Sequence, residues 1–224
     1  MKNILIVAAT LMEIVPFLEK TQSAHPSEDV KPIIYKQKKL HYLITGIGMT
    51  AMSCHLSRHL AANTYDCVIN AGIAGTFNKD FNLSKVVEVR QDIFAELGTE
   101  NPDGAIVPLT YHKELDNATY TMTVENNDPL KTMLINNLPK CKGITVSTVS
   151  GSSKRIKLLT DLYKPDVESM EGAAFLYVCN QFKQKSSQIR ALSNYVEVRN
   201  KKNWAIKKAC NNLSETLDKI VEEL

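Results

Sequence analysis

Three polar side chains stand where strand-like runs give way to turns or helices: Glu13, Glu171 and Asn194. The run Val167-Glu168-Ser169-Met170 ends at Glu171-Gly172-Ala173-Ala174. There a helix is expected to begin, with Ala173, Ala174, Phe175, Val178 and Phe182 along one side. An acid at such a junction lies where open α/β sheets bind ligands, beyond the carboxyl ends of their strands. Glu171 can accept from two vicinal hydroxyls, and Met170 offers a soft apolar surface for the face of a sugar. The competing reading makes Glu171 a first-turn acid that complements the helix dipole, a common arrangement. Asn70-Ala71-Gly72-Ile73-Ala74-Gly75-Thr76 reads as a small-residue turn after a strand. It either lets backbone approach a flat ligand or is a plain glycine turn. Two carboxylates and a side-chain amide on separate strand ends, with no metal, resemble the equipment for breaking a glycosidic carbon–nitrogen bond. One acid activates water, the other holds ribose hydroxyls, and the amide binds the leaving base. Carboxylates facing the sugar favour the positive charge of an oxocarbenium-like transition state.

The elements that must position these groups are legible as alternating strands and helices. Ile4–Ala9 is continuously apolar, as a strand covered on both faces should be. A helix over Met12–Lys20 follows, with Glu13 in its first turn, and then a polar loop over Gln22–Lys31 containing Pro26. Ile33–Gln37 and His41–Thr45 form a hairpin in this reading, and a helix runs from the Gly46-Ile47-Gly48 turn to Ala62. Strands are expected at Cys67–Asn70, Lys85–Ile93, Ile144–Val149, Val167–Met170 and Gln188–Leu192, with a polar excursion over 96–127 and some strand character at Tyr120–Val124. A short helix is expected at Pro129–Leu138, and a helix rich in Lys and Leu after Ser152. Ile206, Ala209, Leu213, Leu217, Ile220 and Leu224 recur at steps of three and four on a closing amphipathic helix. The pattern predicts an α/β fold: one domain spanning 1–224, in three αβα layers with a mixed, mostly parallel central sheet. In such a sheet the strand ends lie on one edge, where Glu13, Gly72–Gly75, Met170-Glu171 and Asn194 can converge.

Composition and motifs exclude several other classes. A net charge of +3 with no basic stripe makes nucleic acid an unsuitable partner. The apolar run at the N-terminus ends within seven residues, and no segment approaches the ~20 apolar residues of a membrane span. The five cysteines are odd in number, widely spaced and without a Cys-x-x-Cys pair, so reduced thiols and a cytoplasmic location are expected. Gly46-Ile47-Gly48-Met49-Thr50-Ala51 has dinucleotide-fingerprint spacing, and Asp66 lies about 20 residues on. Asp66 nevertheless begins the next strand, whereas the ribose-binding acid must stand at a strand's carboxyl end. No dinucleotide cofactor is therefore expected. Asn70–Thr76 lacks the Gly-Lys-Ser/Thr ending of a phosphate loop. His55 and His59 share a helix face but have no third ligand, so a solvated face is the better reading than a metal site.

The ordered set Glu13, Gly46-Ile47-Gly48, Asn70-Ala71-Gly72-Ile73-Ala74-Gly75, Met170-Glu171 and Arg190-Ala191-Leu192-Ser193-Asn194 spans nearly the whole chain. It resembles the nucleoside phosphorylase/nucleosidase superfamily, and within it the methylthioadenosine/S-adenosylhomocysteine nucleosidase branch. The resemblance implies a nucleoside phosphorylase-like fold and a homodimer acting on a small-molecule nucleoside. It makes Glu13 the general base for water, and Glu171 the clamp on the ribose 2′ and 3′ hydroxyls. Met170 packs on the sugar, Arg190 organises the water site, Val149 meets the base through its main chain, and Ala74 and Gly75 line the purine slot. That branch has Asp where this chain has Asn194, serine where it has Ile73, and a second glutamate where it has Ser169. Asn cannot supply a proton to N7, but its NH₂ can donate to N7 or to a 6-oxo group, which fits hypoxanthine better than adenine. A flipped amide could serve adenine. Val-Glu-Ser-Met-Glu-Gly-Ala-Ala-Phe and Ser-Asn-Tyr-Val-Glu-Val-Arg-Asn, with Trp204 close behind, are similar to the futalosine hydrolases of menaquinone biosynthesis. That similarity implies release of hypoxanthine from futalosine, with Arg199 as a candidate cation for the substrate's aryl carboxylate and Val198 standing where that family has proline. The alternatives are an adenine-releasing methylthioadenosine/S-adenosylhomocysteine nucleosidase and a purine-nucleoside-binding protein without catalysis. A phosphorylase fits less well, because the turn at Ala9–Glu13 carries an acid where phosphate needs Gly and Arg.

Overall fold

A computed structural model of the chain describes residues 1–22, 32–102, 106–109, 122–198 and 200–224. The expected loop over 22–31, the middle of the 96–127 excursion, Tyr120 and Arg199 lie wholly or mainly outside the described residues. The first half contains β1 (Asn3–Ala8), α1 (Leu11–Lys20), β2 (Ile33–Tyr35), β3 (Lys38–Ile44), α2 (Met49–Ala62) and β4 (Cys67–Thr76). There follow β5 (Val86–Phe94), a small hairpin of β6 (Gly98–Glu100) and β7 (Ile106–Pro108), β8 (Thr123–Glu125) and α3 (Met133–Asn137). The chain continues through β9 (Lys140–Thr145), α4 (Ser153–Tyr163), β10 (Val167–Ser169), α5 (Gly172–Gln181), β11 (Ser186–Tyr195) and α6 (Ile206–Glu223).

The α/β class and the mixed sheet are as expected, but the sheet closes on itself, and parallel pairings outnumber antiparallel ones only narrowly. Among the described residues, five strand pairings of the main sheet are parallel and four antiparallel. The order β4-β11-β5-β9-β10 returns to β4, because Val167 and Glu168 pair antiparallel with Thr76 and Gly75. Five strands thus close into a barrel, from which β1, β3 and β2 extend as a flange. The reason lies in β4. The stretch over 70–76 is a continuous strand, not the expected small-residue turn, and it reaches β1 with its first half and β10 with its end. Its glycines and alanines leave room for three neighbouring strands to approach.

Helices cover the outside of this sheet. α1 and α6 pack over Ile4, Ile6, Ala8, Ile69, Ala71 and Ile189, whereas α2 and α5 cover Leu5, Val7 and Val68. β1 is therefore apolar on both faces, which accounts for its unbroken hydrophobic run. In α6 the expected stripe is buried at Ala209, Leu213, Leu217 and Ile220. The two leucines and the isoleucine each contribute about 1.5–3 kcal/mol by leaving water. Inside the barrel, register pairs Asn70 with Gln188, Gly72 with Arg190 and Ala74 with Leu192. One end of the interior is apolar, built from Ala74, Val87, Val89, Cys141, Val167 and Leu192. The middle holds polar side chains, and these lead to the site.

Candidate active site

Glu13 is buried in the first turn of α1 and held from two directions. Its Oε2 accepts from the N–H and hydroxyl of Thr10, at 2.9 and 3.0 Å, and its Oε1 accepts from the Ile73 N–H at 3.0 Å. The reach back to Thr10 satisfies an orphan N–H at the helix start, as in a capping box, and fixes the rotamer. Gly72 is what admits Glu13 to the barrel wall. A Cβ there would stand 2.7 Å from Glu13 Oε1 and collide with Arg190 Nη1. The missing side chain therefore brings an acid on one helix against a guanidinium from β11.

Arg190 is 1% exposed, and its Nε and Nη2 have no hydrogen-bond partner among the described residues. Burying a guanidinium is expensive unless opposite charge surrounds it. Here Arg190 exerts a field on two buried acids, Glu171 and Asp92.

Glu171 is the N-cap residue of α5, yet its side chain does not cap that helix. Its Oε1 accepts from the Gly48 N–H at 2.9 Å instead, so the helix-dipole reading is insufficient. Burial raises its pKa, Arg190 and the Gly48 N–H pull it down, and the charge of Glu13 raises it again. The two glutamates therefore share one electrostatic environment. In the Gly46-Ile47-Gly48 turn it is Gly48 that serves this carboxylate, whereas the Gly46 N–H donates to the Ala9 carbonyl. Asp66, the other half of the fingerprint, is tied to the Asn3 N–H at 2.6 Å at the opposite strand ends. A second hollow opens there, lined by Asn3, His41 and residues 60–65, and it contains none of the candidate residues. His59 shares a hydrogen bond with Tyr65 at 2.6 Å and stacks on its ring.

Asn194 follows a register shift in β11 that turns it out of the barrel. Its Nδ2 donates to the Tyr195 carbonyl at 3.0 Å, and Ser193 Oγ lies 2.9 Å from Oδ1. The carbonyl partner fixes the amide: a flip would set two acceptors face to face. One Nδ2 hydrogen remains for another partner. Asn194, Gly75 and Val149 line one cleft with Ser150, Glu168 and Trp204. Ala74 is buried beside it among apolar residues, with its carbonyl 3.2 Å from Ser193 Oγ. Met170 is half-buried between β10 and Glu171.

Two acids escaped the sequence reading. Asp92 is wholly buried: Thr145 Oγ1 and the Ile93 N–H donate to Oδ1 at 2.8 and 2.9 Å, and Gln188 Nε2 donates to Oδ2 at 2.9 Å. Burial pushes its pKa up to about 6, against the pull of Gln188, Thr145 and Arg190. An acid inside the strand-like run Val86–Phe94 was the available signal. Glu168 is buried in the cleft, and its signal depends on a β10–β4 pairing with Gly75, 93 positions earlier in the chain. The cysteines are free, with Cys54 exposed and the other four buried, where burial raises the thiol pKa of Cys67, Cys141 and Cys179 to about 12. No helix among the described residues is long and apolar enough to cross a membrane.

Known proteins share this architecture. A futalosine hydrolase from Thermus thermophilus is 28% identical over 189 residues, covering 81% of each chain. A methylthioadenosine/S-adenosylhomocysteine nucleosidase structure from Helicobacter pylori superposes with a TM-score of 0.81 at 18% identity, over 100% of this chain and 99% of that one. The native futalosine hydrolase structure of Helicobacter pylori gives 0.79 at 19% identity, over 100% and 98%. The sequence pattern of the phosphorylase superfamily matches residues 3–224, and the chain belongs to that superfamily.

Proposed function

We propose that the chain is a purine nucleosidase that hydrolyses the N-glycosidic bond of futalosine, releasing hypoxanthine and dehypoxanthine futalosine. The observation that carries this reading is the buried pair of Glu13 and Arg190 at the side-chain-free face of Gly72, with buried Glu171 in the field of both. Two carboxylates against one guanidinium leave net negative charge where positive charge develops on the ribose ring. Glu13 takes a proton from water as its oxygen attacks C1′, with Arg190 positioning that water. Glu171 accepts from the 2′ and 3′ hydroxyls, Met170 packs on the sugar, and the electrons of the C1′–N9 bond leave with the purine. Asn194 donates its remaining N–H to N7 or O6, while Ala74, Gly75 and the Val149 main chain form the slot for the ring. The fixed amide favours a 6-oxopurine, and the similarity to the Thermus thermophilus futalosine hydrolase supports the same substrate. In this reading residues 1–224 are one catalytic domain, acting without a metal or cofactor in the cytoplasm as a homodimer.

The test is to incubate the protein with futalosine and with methylthioadenosine, each with and without phosphate, and to follow the free bases. Hypoxanthine from futalosine at a rate independent of phosphate is the expected result. Preferential release of adenine from methylthioadenosine would establish the alternative nucleosidase instead. Tight nucleoside binding without turnover would establish a binding protein.

A further inference from the structure

The cleft beside Asn194 contains an acid with no part in the chemistry described so far. Glu168 is 5% exposed, and Ser150 holds both its oxygens, the N–H donating to Oε1 at 2.9 Å and the hydroxyl to Oε2 at 2.5 Å. Glu168 and Asn194 are both in register with Gly75, one from β10 and the other from β11. With strands about 4.8 Å apart, their Cα atoms lie roughly 10 Å from each other across the glycine. Val167 and Leu192 point into the barrel, so Glu168 faces the other way, into the cleft that Asn194 also lines.

We propose that Glu168 reads the purine together with Asn194, its carboxylate accepting the N1–H of a 6-oxopurine while the amide donates to the O6/N7 side. This rests on the cleft being the base subsite of the proposed nucleosidase. An ionised carboxylate only accepts, and each oxygen has a lone pair beyond its Ser150 bond. A 6-oxopurine presents a donor at N1 beside an acceptor at O6. Adenine presents an acceptor at N1 beside a donor at N6, so against Glu168 its N1 would set acceptor against acceptor. A buried polar group left unpaired in this way discriminates strongly. Burial raises the Glu168 pKa against the two Ser150 bonds, and an N1–H donor at this carboxylate would favour its ionised form.

The test measures binding of hypoxanthine, adenine and 1-methylhypoxanthine to the wild-type protein and to Glu168→Gln. The glutamine keeps the shape and can still bond Ser150. Hypoxanthine is expected to weaken at least tenfold in the variant, while adenine changes less than threefold or tightens. On the unaltered protein 1-methylhypoxanthine should bind at least tenfold more weakly than hypoxanthine, a measurement that needs no variant to fold. Equal losses for both bases, or undiminished binding of 1-methylhypoxanthine, overturn the assignment of Glu168 even if futalosine is hydrolysed. Wild-type protein that binds neither base overturns the base subsite itself, and the assignment with it.

Discussion

The main-chain N–H of Gly48 donates to Oε1 of Glu171 at 2.9 Å, across 123 residues of sequence. Gly48 caps α2 with φ +98° and ψ 161°, a backbone region essentially reserved for glycine. The turn after β3 therefore sets the orientation of the acid at the start of α5.

Gly48→Ala tests that dependence. The strained backbone should lower stability by about 1–3 kcal/mol. Displacing a hydrogen bond to a charged group should reduce kcat/KM for the nucleoside roughly 10–100-fold. Denaturant unfolding and steady-state kinetics check the two effects. Wild-type kinetics in a destabilised variant would show that the contact does not orient Glu171.

Asp92→Asn addresses the buried acid. Its carboxyl holds a proton more tightly in the folded protein, where its pKa is about 6, than in the unfolded chain at 3.8. The associated stabilisation is full below about pH 4 and is lost as pH rises through 6, an amount on the order of 2–3 kcal/mol. Asn cannot titrate, and Gln188 can turn its Oε1, unpartnered among the described residues, toward the new NH₂. Urea midpoints at pH 4 and pH 7 should therefore fall less with rising pH in the variant than in wild type. Parallel pH profiles for the two proteins would contradict the assignment.

Asn194→Asp should shift preference toward adenine nucleosides. A carboxylate facing the Tyr195 carbonyl sets two acceptors together, which favours the protonated acid, and a protonated acid can donate to N7. The ratio of adenine to hypoxanthine release should rise at least tenfold. An unchanged ratio would remove Asn194 from the basis of specificity.

Much of this arrangement was legible in the chain, for identifiable reasons. The unbroken apolar run of β1 and the three-four spacing in α6 are local signals, and both elements form where expected. Glu13 and Glu171 stood out because an acid at a strand-to-helix junction is visible within a few residues. Barrel closure was not legible. It depends on β10 returning antiparallel to the end of β4, and the small residues at 70–76 read equally well as a turn. Glu168 was hidden for the same reason, because only that closure brings it into register with Gly75. Gly46 and Gly48 matched a dinucleotide fingerprint by spacing, whereas in the fold the N–H of Gly48 is directed at a carboxylate.

The most direct measurement of the central claim is single-turnover hydrolysis of futalosine by Glu13→Gln, alongside its equilibrium binding. Glutamine cannot remove a proton from water. The account predicts that hypoxanthine release falls by at least a thousandfold while the dissociation constant for futalosine stays within about fivefold of wild type. Release at the wild-type rate would show that Glu13 is not the base and that the buried acids and Arg190 do not perform this chemistry.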